Sequence, residues 1–300
     1  MVSKFRCGFG GREMIGLDPN AAKVQAFGQF ALAIRSYLPE LDELIRNYRR
    51  TNTMPKDLFN LTGKIALVTG GSRGLGLEMV RAFAEHGADV VIVSRKRDAC
   101  DVAAEEVRSF GRRAMPYSAH VGKWNEIDKL IEAVYAEFGR IDILVNNAGM
   151  SPRAPSHEVT EALFDSVFNL NFKGPFRLAS QIGKRMADGD GGVIINVSSS
   201  GSLMPMPGAV PYSCAKAALN AMTVSLAREY APKVRINTIS AGPFLTDISK
   251  AWTENARKHA DNSLGRPGNP EEIVTTALYL ASPASSFTTG ALIRVDGGLA

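Results

Sequence analysis

The chain has 300 residues, of which 45% are hydrophobic and 22% charged, with a formal net charge of +5. This is the balance of a globular protein. The basic residues are too scattered to point to nucleic acid, and no apolar run reaches the roughly eighteen residues of a membrane span. Three cysteines (Cys7, Cys100, Cys214) and four histidines (His86, His120, His157, His259) show neither a disulfide framework nor metal-ligand spacing. A reduced, cytoplasmic setting with no metal is therefore expected, and MVSKFRCGFGGREM lacks the pattern of a signal peptide.

In residues 1–60, Val24, Phe27, Phe30, Ile34, Leu38, Leu41, Ile45 and Tyr48 recur at steps of three and four. This predicts an N-terminal helical extension, divided or kinked at Pro39 and followed by a linker. Its expected use is packing on its own domain or on a neighbouring subunit, with a membrane-surface helix as the alternative.

From residue 61 to 300 a second pattern takes over. Short runs rich in β-branched residues alternate with helical stretches: KIALVT (64–69), DVVIVS (89–94), RAMPYS (113–118), IDILVN (141–146), GVIINVS (192–198), VRINTIS (234–240) and ALIRV (291–295). Most are continuously apolar, as parallel strands buried on both faces must be. Gly87 and Gly139 close two of the intervening helices. The reading is α/β: a single Rossmann-type, doubly wound domain around a seven-stranded parallel sheet.

The first strand runs into TGGSRGLG (69–76) at the start of a helix. Glycines there allow a tight turn and let backbone N–H groups approach a pyrophosphate. Gly70, Gly74 and Gly76 follow the pattern TGxxxGxG; NNAG occupies 146–149, and Tyr212 stands four residues before Lys216. With these three motifs in this order, residues 60–300 resemble the short-chain dehydrogenase/reductase family.

The resemblance implies a nicotinamide dinucleotide held by Gly70, Ser72, Arg73, Gly74, Leu75 and Gly76. Asn147, Ala148 and Gly149 let it approach closely, while Asn146 is expected to tie strands together. An acid ending the second strand would bind the ribose 2′-hydroxyl of NAD. Here that strand ends in Ser94-Arg95, and Arg95 with Arg73 suits a 2′-phosphate, so NADPH/NADP+ is expected over NADH. Where family members carry an aspartate that meets adenine, this chain has His120 before Val121, and a neutral imidazole accepts a hydrogen bond in one tautomer only. In NTISAGPFLT (237–246) the usual proline is replaced by Ala241, leaving Gly242, Phe244 and Thr246 as cofactor contacts.

At the reacting end the resemblance assigns Tyr212 as general acid/base and Lys216 as its partner, which also holds the nicotinamide ribose. Residues i and i+4 share a helix face, and Pro211 suits a first turn. An ammonium beside the phenol favours its ionised form. Ser199, thirteen positions before Tyr212, is assigned to the substrate oxygen, with Ser198 and Ser200 as neighbouring hydroxyls. Asn171 completes the tetrad by holding a water, with Asn169 as the rival asparagine.

The implied activity interconverts a ketone and a secondary alcohol, with a 3-oxoacyl or related carbonyl substrate favoured. A sugar-acid or polyol dehydrogenase is the alternative, and a non-catalytic NADP(H)-binding regulator the alternative of another class. The segment after Thr246 is expected to form a substrate lid, with Trp252 a wall and Lys250, Arg257 and Lys258 either attracting an anion or solvated. A homo-oligomer, tetramer or dimer, is also implied.

Overall fold

Seven strands pair side by side, all parallel, in the computed structural model, which describes Glu43 and residues 57–247, 249 and 252–299. They are β1 (Ile65–Thr69), β2 (Asp89–Ser94), β3 (Ala114–Ser118), β4 (Ile143–Asn146), β5 (Gly192–Ser199), β6 (Val234–Ala241) and β7 (Leu292–Val295), in the order β3-β2-β1-β4-β5-β6-β7. Each falls within two residues of its expected run, because continuous apolar stretches have both faces to bury. The helical extension expected over residues 1–60 lies almost entirely outside the described residues.

Helices cover both faces. On one side lie α1 (Gly74–Glu85) and α2 (Arg97–Ser109), with their buried Met79, Phe83, Cys100 and Val107. On the other lie α3 (Trp124–Phe138), with Ile127, Leu130 and Ile131, and a second pair further along the chain. That stretch begins as α4 (Glu161–Phe168), widens into a π-turn over Asn169–Lys173, and continues as α5 (Gly174–Asp188). Next to it, α6 (Val210–Glu229) starts with Pro211 in its first turn. Short α7 (Glu254–Lys258) follows β6, and α8 (Val274–Ala281) returns to the first face. No helix among the described residues is long and apolar enough to cross a membrane.

The strand order reverses between β1 and β4, and in such sheets ligands lie in the crevice outside the carboxyl ends of the strands there. The register also sets Asn146, Asn196 and Thr238 side by side across β4, β5 and β6. Asn146 Nδ2 donates to Asn196 Oδ1 at 2.9 Å, and Asn196 Nδ2 donates to Thr223 Oγ1 at 2.9 Å. Thr223 and Thr238 hydroxyls meet at 2.8 Å. This fully buried row clamps α6 to the sheet about two turns beyond Lys216, and an unpaired member would cost about 1–3 kcal/mol.

Candidate active site

The glycine loop is built by close packing. Gly70 and Gly74 have φ of +65° and +54°, a region that side chains disfavour. A Cβ on Gly76 would stand 2.2 Å from Gly70 O, so α1 meets the end of β1 only because nothing is there. Arg73 precedes α1 without a side-chain cap on its first turn, and that turn carries no acid. Uncapped N–H groups at the head of a 12-residue helix are a donor set that suits a phosphate. A dinucleotide therefore fits these residues.

Thr69 joins this loop to NNAG. Its hydroxyl donates to Val145 O at 3.1 Å and accepts from the N–H groups of Asn147 and Ala148 at 3.0 and 3.1 Å. Asn147 Nδ2 returns to Thr69 O and Gly70 O. Thr69 was not singled out from the sequence, although it is the first letter of the TGxxxGxG pattern.

Next along the floor, a Cβ on Gly149 would lie 2.8 Å from Asn171 Oδ1 and 3.6 Å from Lys216 Nζ. Three separated motifs thus converge on one point. Asn171 is fully buried, and its amide donates to Met150 O and Val167 O at 2.9 Å while its oxygen accepts from Met150 N. It sits in the π-turn, where a helix that must point one side chain sideways commonly widens. Asn169, the rival, takes no part in this convergence.

Lys216 is 3% exposed and donates to Val197 O at 2.8 Å. Burial pulls its ammonium down to about 8. The Tyr212 phenol goes the other way: burial pushes it up, opposed by a hydrogen bond with Ser199. The ammonium lies 5.9 Å from the Tyr212 ring centre and is not among the groups that shift it. Nζ itself is turned to the β5 carbonyl of Val197.

Of the three serines, Ser199 is the one bonded to Tyr212, and its Oγ accepts from Gly201 N at 3.1 Å. Ser198 is used structurally, donating to Lys216 O at 3.3 Å.

The arginines expected at the 2′-phosphate differ. Arg73 pairs with Asp247 at 3.1 Å. Arg95 is exposed, its carbonyl accepts from Ser118 Oγ, and it has no ion-pair partner among the described residues. Ser94 folds back on its turn, bonding Lys96 N and O. His120 Nδ1 accepts from Gly122 N at 3.1 Å, and its own N–H donates to the Glu126 carboxylate at 2.7 Å. The neutral ring then carries its hydrogen on Nε2 and offers a donor outward. The acceptor considered for adenine from the sequence is used up internally. Val121 is buried against the α3 face.

The loop after β6 reaches back to the glycines. Thr246 lies 3.4 Å from the Cβ position of Gly74. Phe244 is 7% exposed, with its ring against Gly268, so its side chain is core and only its backbone remains for a ligand. Gly242 packs on Asp296, where a Cβ would stand 2.5 Å from the Asp296 Cα. Ser72 and Leu75 lie at the head of α1 with partial exposure. Arg257 donates to Ser249 O, and Lys258 pairs with Glu254. Lys250 is outside the described residues. A cavity of about 420 Å³ runs along the outer edge of β3, between Arg97, Tyr117 and Phe138, away from all these groups.

Residues 70–300 match a family model described as enoyl-(acyl carrier protein) reductase. An NAD-dependent glycerol dehydrogenase of Listeria innocua is 36% identical over 244 residues, covering 80% of this chain and 95% of that relative. The chain belongs to the short-chain dehydrogenase/reductase family. A 3-oxoacyl-(acyl-carrier-protein) reductase of Thermotoga maritima is 35% identical, covering 80% of this chain and 98% of that one. A crystal structure of a putative NAD(P)-dependent gluconate 5-dehydrogenase from Beutenbergia cavernae, with bound NADP, superposes with a TM-score of 0.77. It is 31% identical and covers 81% of this chain and 99% of its own. As a short-chain dehydrogenase/reductase, the chain is an oxidoreductase of CH–OH groups and carbonyls that uses a nicotinamide cofactor.

Proposed function

We propose that this short-chain dehydrogenase/reductase interconverts a ketone and a secondary alcohol with NADP(H), using Tyr212, Lys216, Ser199 and Asn171. The observation that carries this reading is the meeting of Gly149, Asn171 and Lys216 at one point, with Tyr212 one helical turn before Lys216 and Ser199 acting on its phenol. The dinucleotide, when bound, supplies or accepts the hydride at the carbon that changes oxidation state.

The chain's own residues handle the oxygen and its proton. Ser199 Oγ accepts from Gly201, and its hydrogen, which acts on the Tyr212 phenol, can turn to the substrate oxygen. Tyr212 Oη gives that oxygen a proton in reduction and takes it back in oxidation. Burial favours the protonated phenol, which suits the donating role. Lys216 places a positive charge below Tyr212 at pH values under about 8. The Asn171 side chain is committed to Met150 and Val167, so a water link to solvent falls to the backbone of the π-turn.

Glycines 70, 74 and 76 and the uncapped α1 would hold the pyrophosphate, with Asn147, Ala148 and Thr246 alongside. The preference for NADP(H) is supported by Arg95, exposed and without an acid beside it, with Arg73 able to exchange Asp247 for a phosphate. Relatives bearing 3-oxoacyl reductase and polyol or sugar-acid dehydrogenase names stand at similar identity. The intact tetrad favours catalysis over a non-catalytic regulator. Homo-oligomerisation is supported by the family resemblance, and a cytoplasmic location by the three scattered cysteines.

The test is Tyr212→Phe, with NADPH binding and turnover measured separately over a panel of ketones. Retained binding with turnover lowered about 10²–10⁴-fold is expected. Near-normal turnover in that variant would sink the assignment.

A further inference from the structure

Arg153 stands at the mouth of this site and was not singled out by any motif. It lies in Met150-Ser-Pro-Arg-Ala-Pro155, directly after NNAG, and is exposed. Three restraints hold the segment. Met150 is bonded through both N–H and C=O to Asn171. Ala154 N donates to Gly208 O at 2.9 Å. Pro152 and Pro155 hold their own φ and keep Ser151 and Ala154 extended. A side chain between two prolines on a twice-anchored loop loses little backbone freedom on binding a ligand.

The guanidinium points at the catalytic helix. Its Nη2 lies 3.8 Å from Met206 Sδ. Met206 N donates to Ser213 Oγ, next to Tyr212. The Met206 methyl is 3.0 Å from the Cβ position of Gly201, itself 3.4 Å from Ser199 Oγ. A thioether is a weak acceptor for one N–H of five, and no carboxylate among the described residues ion-pairs with Arg153. Of the other cations considered for this role, Arg257 bonds Ser249 O and Lys258 pairs with Glu254, while Lys250 lies outside the described residues.

We propose that Arg153 is the anion-binding residue of the substrate pocket, and that the preferred alcohol or ketone carries a carboxylate or phosphate several atoms from the reacting carbon. The proposal rests on the oxidoreductase reading above and names its substrate class. It separates acidic substrates from neutral polyols such as glycerol. A planar fork with unclaimed donors matches a carboxylate or phosphate in two parallel hydrogen bonds.

D-sorbitol, D-gluconate and D-sorbitol 6-phosphate share a six-carbon polyol chain and differ in their terminal group. Their binding to the Tyr212→Phe protein saturated with NADP+ is measured by calorimetry, with Arg153 intact and as Arg153→Met and Arg153→Lys. At least one anion should bind tenfold or more tightly than sorbitol. Arg153→Met should erase that ratio and Arg153→Lys restore part of it. The stronger anion identifies carboxylate or phosphate as the group recognised. Equal affinity for all three, including none measurable, overturns the proposal, as does an anion preference that survives Arg153→Met. Binding in this background needs no proton transfer, so a failed oxidoreductase reading shows itself separately, as normal turnover by Tyr212→Phe.

Discussion

Lys216, 3% exposed and bonded to the β5 backbone, and Arg73, whose side chain is 68% exposed and paired with Asp247, mark the two ends of the same crevice. Both are cations facing a predicted dinucleotide, yet they are held by different physics. At the reacting end burial shifts Tyr212 and Lys216 in opposite directions, and Lys216 and Asn171 are held by the backbone. At the adenosine end the charges lie in solvent, where an ion pair contributes only about 0–1 kcal/mol and exchanges readily. Chemistry needs the first arrangement and selectivity among cofactors needs only the second. Substitutions at the buried end should therefore act strongly and through pKa, and those at the exposed end weakly and through binding.

The largest effect after loss of the Tyr212 hydroxyl should come from Lys216→Met. Turnover should fall about 10²-fold or more, while the fold becomes more stable. In the folded chain Lys216 titrates near 8, below its unfolded value of 10.5. The unfolded state therefore binds the extra proton between these values, and stability rises with pH across that window. Well below pH 8 the full penalty is present, so the variant should gain about 3 kcal/mol at pH 7. Denaturant unfolding at pH 7 and 10 should show that gain shrinking as the pH rises. A gain independent of pH would remove the buried charge as its cause.

Gly76→Ala tests the packed floor between the two ends. Its Cβ would meet a backbone oxygen at 2.2 Å. A loss of about 1–3 kcal/mol is expected from overpacking, together with weaker cofactor binding. Thermal unfolding close to that of the parent would show that α1 can move aside.

Arg95→Ala should reduce the preference for NADPH over NADH about tenfold, the scale of one charge-assisted contact. Dissociation constants for both cofactors decide it, and equal binding by the parent chain would defeat the NADP(H) reading outright. The smallest effect is reserved for His120. With its hydrogen on Nε2, the neutral ring can donate to adenine N1 or to the exocyclic oxygen of hypoxanthine alike. Replacing NADPH by its hypoxanthine analogue should change affinity by less than about threefold, within the worth of a single neutral hydrogen bond. His120→Asp should make the chain prefer the adenine form, and a strong adenine preference in the parent would contradict the tautomer.

The strands, and the residues proposed as the tetrad, could be picked out from the sequence because they rest on local regularities. Seven apolar runs read as buried parallel strands, and Tyr212 and Lys216 are one helical turn apart wherever that helix goes. Other features left a weaker trace. Thr69 looks like the end of a strand until its hydroxyl is seen bonded across to β4. Phe244 stands where a cofactor contact was expected, yet its ring faces Gly268 and the core. Arg73 reads as a phosphate ligand until Asp247, 174 residues away, appears beside it. Arg153 belongs to no motif, and its use follows only from which residues surround it.

By itself the sequence determined the sheet, the glycine turn and the placing of Tyr212 and Lys216 one helical turn apart, because hydrophobic periodicity, glycine and helical spacing act over a few residues. Tertiary structure decided the rest: which serine meets Tyr212, which nitrogen of His120 carries hydrogen, where the phenol and ammonium titrate, and which arginine is left with donors to spare. Those outcomes depend on burial and on partners far along the chain, and both exist only once the strands have been set side by side.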